Sequence, residues 1–175
     1  MKTRRALLAV GLLGAALTPV LASGSPAVPG RSVRTAPGDG IQSRAYLHSY
    51  NLPSHGVALE GFSPVSYFDA GRAERGEAVF SVTHEGVSYH LTSAEQAAKF
   101  ARDPQRYVPA YGGWCAFGMA VEDKFPVDPR VFKIVDGRLL LFLKNPGVDA
   151  LELWNGGDER ELLRKADAHW RRVQG

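Results

Sequence analysis

Two short turns constrain the fold of this chain more than any other sequence feature. Glu85-Gly86 and Asp136-Gly137 each separate two segments that are rich in valine, leucine and aromatic residues. Glycine at the second position of a two-residue turn supplies the positive φ that tight hairpins prefer. The sequence therefore predicts two antiparallel hairpins, in which residues 79–84 pair with 87–91 and residues 131–135 pair with 138–143.

The first turn also predicts which side chains face each other, because a two-residue loop fixes the register of the strands beside it. That register gives the hairpin one apolar face, built from three pairs: His84 with Val87, Val82 with Tyr89, and Phe80 with Leu91. We expect this face to pack against the core.

Helix signals follow each predicted hairpin. Two overlapping capping boxes at residues 92–96 precede a predicted helix, which Asp103-Pro104 ends. After the second hairpin, the pattern predicts a short helix that includes Trp154 and a final helix from about Asp158. Apolar residues recur at helical spacing in the final helix, so it is expected to lie on the sheet with Trp170 buried.

These elements together predict the fold class. The strand pairs are hairpins, and strands do not alternate regularly with helices along the chain. Such an order favours an α+β domain, with a small antiparallel sheet built from hairpins and flanking helices.

The chain divides into three predicted regions. In residues 1–22 a basic start, an apolar run over 6–17 and small residues ending at Ala22 are typical of a signal peptide. Residues 23–56 are rich in serine, proline and glycine, which predicts a flexible linker and lead-in segment. The folded domain is expected to span residues 57–173.

A signal peptide implies export, to a bacterial periplasm or to the outside of the cell. Arg4-Arg5 also resembles the twin-arginine pattern, which would carry the domain across the membrane already folded. The general secretory route and the twin-arginine route both stay open. No later stretch approaches the ~20 apolar residues of a membrane-spanning helix, so we expect no span in the mature protein.

Export also changes the meaning of the net charge. The chain has 21 basic and 18 acidic residues, but the predicted signal peptide holds three of the basic residues and no acidic one. The mature protein would then carry 18 of each and a net charge of zero. A basic face for nucleic acid is therefore not expected.

Residues 107–118 concentrate the only cysteine, four aromatic residues and three glycines in twelve positions. Paired glycines permit backbone angles and close approaches that a Cβ would forbid, and the aromatic residues carry more apolar area than a solvated turn needs. The stretch predicts a tight turn against the core that presents Cys115. The candidate ligand-binding residues are Tyr111, Gly112, Gly113, Trp114 and Cys115.

Three separated blocks resemble the YHS domain family, in the form found in small exported bacterial proteins. The blocks are residues 61–68 (Gly-Phe-Ser-Pro-Val-Ser-Tyr-Phe), residues 89–96 (Tyr-His-Leu-Thr-Ser-Ala-Glu-Gln) and residues 110–116 (Ala-Tyr-Gly-Gly-Trp-Cys-Ala). The similarity extends over about residues 57–172 and implies a YHS-like fold. Related modules hold metal through cysteines, but the corresponding positions here are Ser66, Thr92 and Gln96.

Two interpretations of Cys115 follow. In the first, Cys115 and Met119, with His84 or His90, bind a soft metal such as copper, or the loop binds a small ligand. In the second, Cys115 and Met119 are core residues, and the domain is a structural or interaction module for an unknown protein partner. Both interpretations are non-enzymatic, and the sequence has no Gly-x-Ser-x-Gly elbow, phosphate-binding glycine loop or Cys-x-x-Cys pair. A third interpretation is an enzyme with Cys115 as nucleophile and His84 as its partner, for which the sequence supplies no orienting group.

Overall fold

Hairpins and short helices make up the part of the chain that the computed structural model describes, residues 49–53 and 56–175. The strands are β1 (Glu77–His84), β2 (Val87–Leu91), β3 (Asp128–Val135), β4 (Arg138–Phe142), β5 (Lys144–Asn145) and β6 (Val148–Asp149). The α-helices are α1 (Ser66–Asp69), α2 (Ala94–Arg102), α3 (Ala116–Ala120), α4 (Ala150–Asn155) and α5 (Glu159–Gln174). Single 3-10 turns cover Ala58–Gly61, Pro104–Arg106 and Ala110–Gly113. The predicted α+β class is confirmed.

The first hairpin keeps the predicted register only near its turn. His84 lies opposite Val87 and Val82 lies opposite Tyr89, as expected. Farther along, a β-bulge shifts the pairing, so that Leu91 faces Glu77 instead of the predicted Phe80. The turn sets the pairing of the residues nearest to it. At the far end of the hairpin, the pairing is set by the close approach of Gly76 to the His90 backbone.

The second hairpin forms at Asp136-Gly137, where Val135 pairs with Arg138. On its other side β4 meets the stretch that contains the cysteine, through isolated parallel bridges from Pro109 to Leu139 and from Cys115 to Leu141. The strand pairs among the described residues form three separate two-stranded antiparallel sheets. Strand β4 thus lies between β3 and the aromatic loop.

The core has two hydrophobic clusters, and β4 contributes to both. Leu139 and Leu141 belong to the first cluster, with Tyr67, Tyr89, Leu91 and Phe100. Leu140 and Phe142 belong to the second, with Cys115, Met119 and Trp154. Because successive side chains of a strand point to opposite faces, one strand can serve both clusters.

Helix starts follow the predicted capping residues. Ser93 caps α2, and its Oγ accepts a hydrogen bond from the Gln96 amide at 3.2 Å. Asp158 caps α5 by accepting from the amides of Arg160 at 3.0 Å and Glu161 at 3.3 Å. Each cap satisfies amides that lack a partner inside the helix.

The packing of α5 differs from the prediction. This helix packs mainly against α3 and meets strand β4 through the pair of Asp167 with Arg138. Trp170, expected to be buried, is only half-buried. Its ring meets those of Tyr50 and Tyr111 and lines a surface cleft.

Gly76 offers a direct test of the bulged hairpin. A Cβ at Gly76 would lie 2.4 Å from the His90 carbonyl oxygen, so Gly76→Ala must displace the β2 backbone. We expect a loss of about 1–3 kcal/mol in the free energy of unfolding, measured with urea. At the control position Gly156 the nearest atom would be 3.5 Å away, and Gly156→Ala should change stability by less than about 0.5 kcal/mol. Equal losses in the two variants would contradict the described contact.

Candidate functional site

Cys115 is completely buried at the start of α3. Its Sγ accepts hydrogen bonds from the Gly118 amide at 3.5 Å and from the Leu143 amide at 3.4 Å. The Cys115 amide donates to the Phe125 carbonyl at 3.1 Å. The sulfur therefore joins the end of β4 to the first turn of α3.

The three predicted metal ligands do not all lie together. Met119 is fully buried in the same cluster as Cys115. His84 instead packs edge-on against Phe100, with ring centroids 6.4 Å apart, and its Nε2 lies 3.1 Å from Nε2 of Gln105. Within residues 49–53 and 56–175, no three His, Cys, Asp or Glu side chains are grouped as a metal site would require. The copper site stays a prediction.

The diglycine bend contacts the chain's own lead-in segment. The Asn51 amide donates to the Gly112 carbonyl at 2.9 Å, and Nδ2 of Asn51 donates to the Gly113 carbonyl at 3.1 Å. Gly112 has φ +58°, and a Cβ there would lie 2.8 Å from Cη2 of Trp170 and 3.2 Å from the Ser49 carbonyl. The close approach expected at this bend is therefore made by residues 49–51.

Trp114 holds the same segment. Its indole Nε1 donates to the Ser49 carbonyl at 2.7 Å. Ser49 also reaches the end of α5, because its Oγ donates to the Val173 carbonyl at 3.3 Å. Trp114 therefore secures the lead-in segment and, like Gly113 and Cys115, does not line the cleft described next.

An open cleft of about 240 Å³ lies beside the bend. Of the five predicted ligand-binding residues, Tyr111 and Gly112 line this cleft. Other lining residues come from four further parts of the chain and include Tyr50, Arg106, Val108, Arg138 and Trp170. The cleft is thus an accessible side of the aromatic loop, whereas the sulfur is buried.

A polar triad forms one wall of the cleft and extends behind it. The Tyr111 hydroxyl donates to Oδ1 of Asp167 at 2.9 Å. Arg138 binds the same carboxylate with two hydrogen bonds, from Nη2 at 2.7 Å and from Nη1 at 3.2 Å. The Arg138 guanidinium carbon also lies over the Tyr111 ring, 5.2 Å from its centroid. Asp167 therefore fixes both side chains that face the cleft.

The environment sets the charge of each member of the triad. Burial raises the pKa of Tyr111 far above its usual value, so the phenol stays neutral and keeps donating. Burial alone would raise the pKa of Asp167, but hydrogen bonds from Arg138 and Tyr111 outweigh it and lower that pKa. The Asp167 carboxylate, which accepts from Arg138, raises the pKa of the guanidinium. At neutral pH the triad holds one carboxylate and one guanidinium.

Aromatic rings also line the cleft. Trp170 meets Tyr50 at a centroid distance of 6.3 Å and Tyr111 at 6.4 Å, both with steep interplanar angles. Edge-to-face contacts of this kind are favourable and fix the ring orientations. The half-buried indole and Tyr50 leave apolar surface at the rim.

Sequence reasoning missed most of this site. The sequence pattern places Arg138 only in a hairpin and gives no site role to Arg106, Tyr50 or Asp167. The position of Arg138 directly after the Asp136-Gly137 turn could have indicated a site residue, because the first residue of β4 lies at the edge of the sheet. Nothing local in the sequence pairs it with Asp167, because 29 positions separate them.

Comparisons of the chain with protein-family models, with curated proteins and with solved structures find no match. Across residues 49–53 and 56–175, no helix combines the length and apolar character needed to cross a membrane. The predicted signal peptide and most of the predicted linker lie outside the described residues. The geometry of the cleft and of Cys115 therefore carries the functional interpretation.

The ion pair at Asp167 predicts a pH dependence of stability. A carboxyl whose pKa is lowered on folding stabilises the protein above its unfolded pKa of about 3.9, and this contribution is lost as pH falls through the folded pKa. We expect wild type to exceed Asp167→Asn at pH 6 by about 1 kcal/mol or less, because the paired side chains are partly exposed. Urea unfolding should show that this difference shrinks below about pH 4.

The matched control for this experiment is Glu152→Gln, on an exposed part of α4. The change measured at Asp167 is judged relative to this control. If the difference in the free energy of unfolding between wild type and Asp167→Asn grew as the pH falls, the carboxylate would not be stabilised by Arg138 and Tyr111.

Proposed function

We propose that this chain is an exported, non-enzymatic binding module of the YHS type, and that its ligand site is the cleft at Tyr111 and Gly112. In this proposal Cys115 is a structural residue and not a metal ligand. The resemblance in three sequence blocks supports the family assignment. The arrangement of the aromatic loop supports the position of the site.

One observation carries the proposal: the two sides of the aromatic loop differ in what they can still bind. On the inner side, the Cys115 sulfur is inaccessible and already accepts from two amides. At the bend, the carbonyls of Gly112 and Gly113 accept from Asn51. On the outer side, the cleft is open to solvent and combines aromatic with cationic groups. Concave sites with a few converging polar groups are where small ligands bind.

The surroundings of Cys115 also support a non-enzymatic role. A cysteine nucleophile needs an adjacent base and access to substrate. Here the atoms that meet the sulfur are backbone amides, and His84 contacts Phe100 and Gln105. Copper binding at Cys115 and Met119 would need metal to enter a fully buried cluster.

Thiol labelling tests the structural role of Cys115. In the native protein we expect Cys115 to resist a maleimide reagent and to react only when the domain unfolds, because its side chain is buried. A Val79→Cys variant supplies the control, since Val79 is 77% exposed on β1 and its thiol should react at once. Rapid reaction of both thiols in folded protein would overturn the structural role.

Anaerobic titration with Cu(I) tests the metal hypothesis separately. Folded wild type and Cys115→Ser should take up equal amounts, because the sulfur is closed to metal in the folded state. Met119→Leu, which keeps a similar volume, should match them. Loss of one equivalent of copper in both variants would establish a Cys115 and Met119 site and would remove the structural interpretation of the thiol.

A further inference from the structure

We propose that the cleft binds a small aromatic anion, whose ring lies against Trp170 and Tyr50 and whose anionic group meets Arg138 and Arg106. The proposal rests on the proposed function of the cleft and adds the chemical class of its ligand. Four features of the cleft support this class: its charge, the fixed position of one guanidinium, its apolar rim and its size.

The lining of the cleft is asymmetric in charge. Two arginines, Arg106 and Arg138, belong to the lining, and none of the lining residues that the structure describes is acidic. Asp167, the carboxylate of the triad, pairs with Arg138 but does not itself line the cleft. A ligand in the cleft therefore meets cationic groups first, which favours an anion and disfavours a cation.

Arg138 is held ready for a second carboxylate or a phosphate. A guanidinium carries five N–H donors in a fixed fork, and Asp167 takes two of them. The Tyr111 ring below the guanidinium further restricts its position. Because Asp167 already orders this side chain, a ligand would lose little additional side-chain entropy on binding to it.

Arg106 supplies the second charge and is not tied into the fold. Its side chain is exposed, and the contact described for it is with the Tyr107 ring, 5.6 Å from the guanidinium carbon. It can therefore turn toward an anion in the cleft. Removing its charge should change binding without disturbing the core.

The apolar rim and the volume of the cleft restrict the uncharged part of the ligand. Trp170 and Tyr50 meet at a steep angle, so a flat ring can pack against one of them while meeting the edge of the other. The volume of about 240 Å³ is below the range of roughly 300–1,000 Å³ typical of sites for drug-sized ligands. A single aromatic ring with one anionic group fits these limits.

Calorimetric titration of the folded chain with four ring compounds tests the class. The probes are benzoate, phenyl phosphate, neutral benzamide and cationic benzylamine. We expect at least one anion to bind about tenfold or more tightly than benzamide, as a charge-assisted hydrogen bond would provide, and benzylamine not to bind. Comparison of the two anions distinguishes a carboxylate ligand from a phosphate ligand.

Variants locate the binding. Arg106→Gln should weaken the preferred anion about tenfold and leave benzamide unchanged, because only a charge is removed. Trp170→Phe should weaken both compounds, whereas Arg160→Gln, an exposed control on α5, should affect neither. Circular dichroism and a thermal melt of each variant establish that it is folded.

Each other outcome is decisive. Equal binding of benzoate, phenyl phosphate and benzamide would overturn the anion class and leave the cleft as a ligand site. Binding that Arg106→Gln and Trp170→Phe do not change would place the anion elsewhere and overturn the proposal. Failure of all four probes to bind would overturn both this inference and the proposed function of the cleft.

Discussion

Alternate side chains of β4 enter two separate hydrophobic clusters, and the rest of the domain is arranged around this strand. Leu139 and Leu141 serve one cluster while Leu140 and Phe142 serve the other, all four fully buried. A strand buried on both faces cannot slip by one residue without exchanging every contact. Its fixed register then positions Arg138 at one end and the Leu143 amide, which donates to the Cys115 sulfur, beyond the other.

The Cys115 sulfur and the Arg138 guanidinium thus have different roles, although Arg138 begins β4 and Cys115 bridges to the same strand. Cys115 accepts hydrogen bonds from two amides and caps α3 in the buried interior, where an unpaired amide would be costly. Arg138 stays half-buried, neutralised on one side by Asp167 and open to the cleft on the other. The loop at residues 110–116 therefore separates a closed interior from a surface that can still form contacts.

The sequence predicted elements better than it predicted their arrangement. Both hairpin turns and the caps Ser93 and Asp158 were found because they depend on residues close together in the chain. The bulge in β1 and the half-buried Trp170 were missed, since they depend on contacts with Gly76, Tyr50 and Tyr111 across the fold. For the same reason the sequence pattern singles out Tyr111 and Gly112, which line the cleft, but not Arg138 and Asp167.

The contact of Ser49 with the Val173 carbonyl brings the two ends of the described domain together. Both ends lie next to Trp170, since Ser49 precedes Tyr50 and Val173 lies one helical turn beyond the indole. An affinity tag or fusion partner joined directly before Ser49 or directly after Gly175 would accordingly lie close to the cleft. A fluorescent reporter is better attached on β1, where Val79 is exposed to solvent and does not line the cleft.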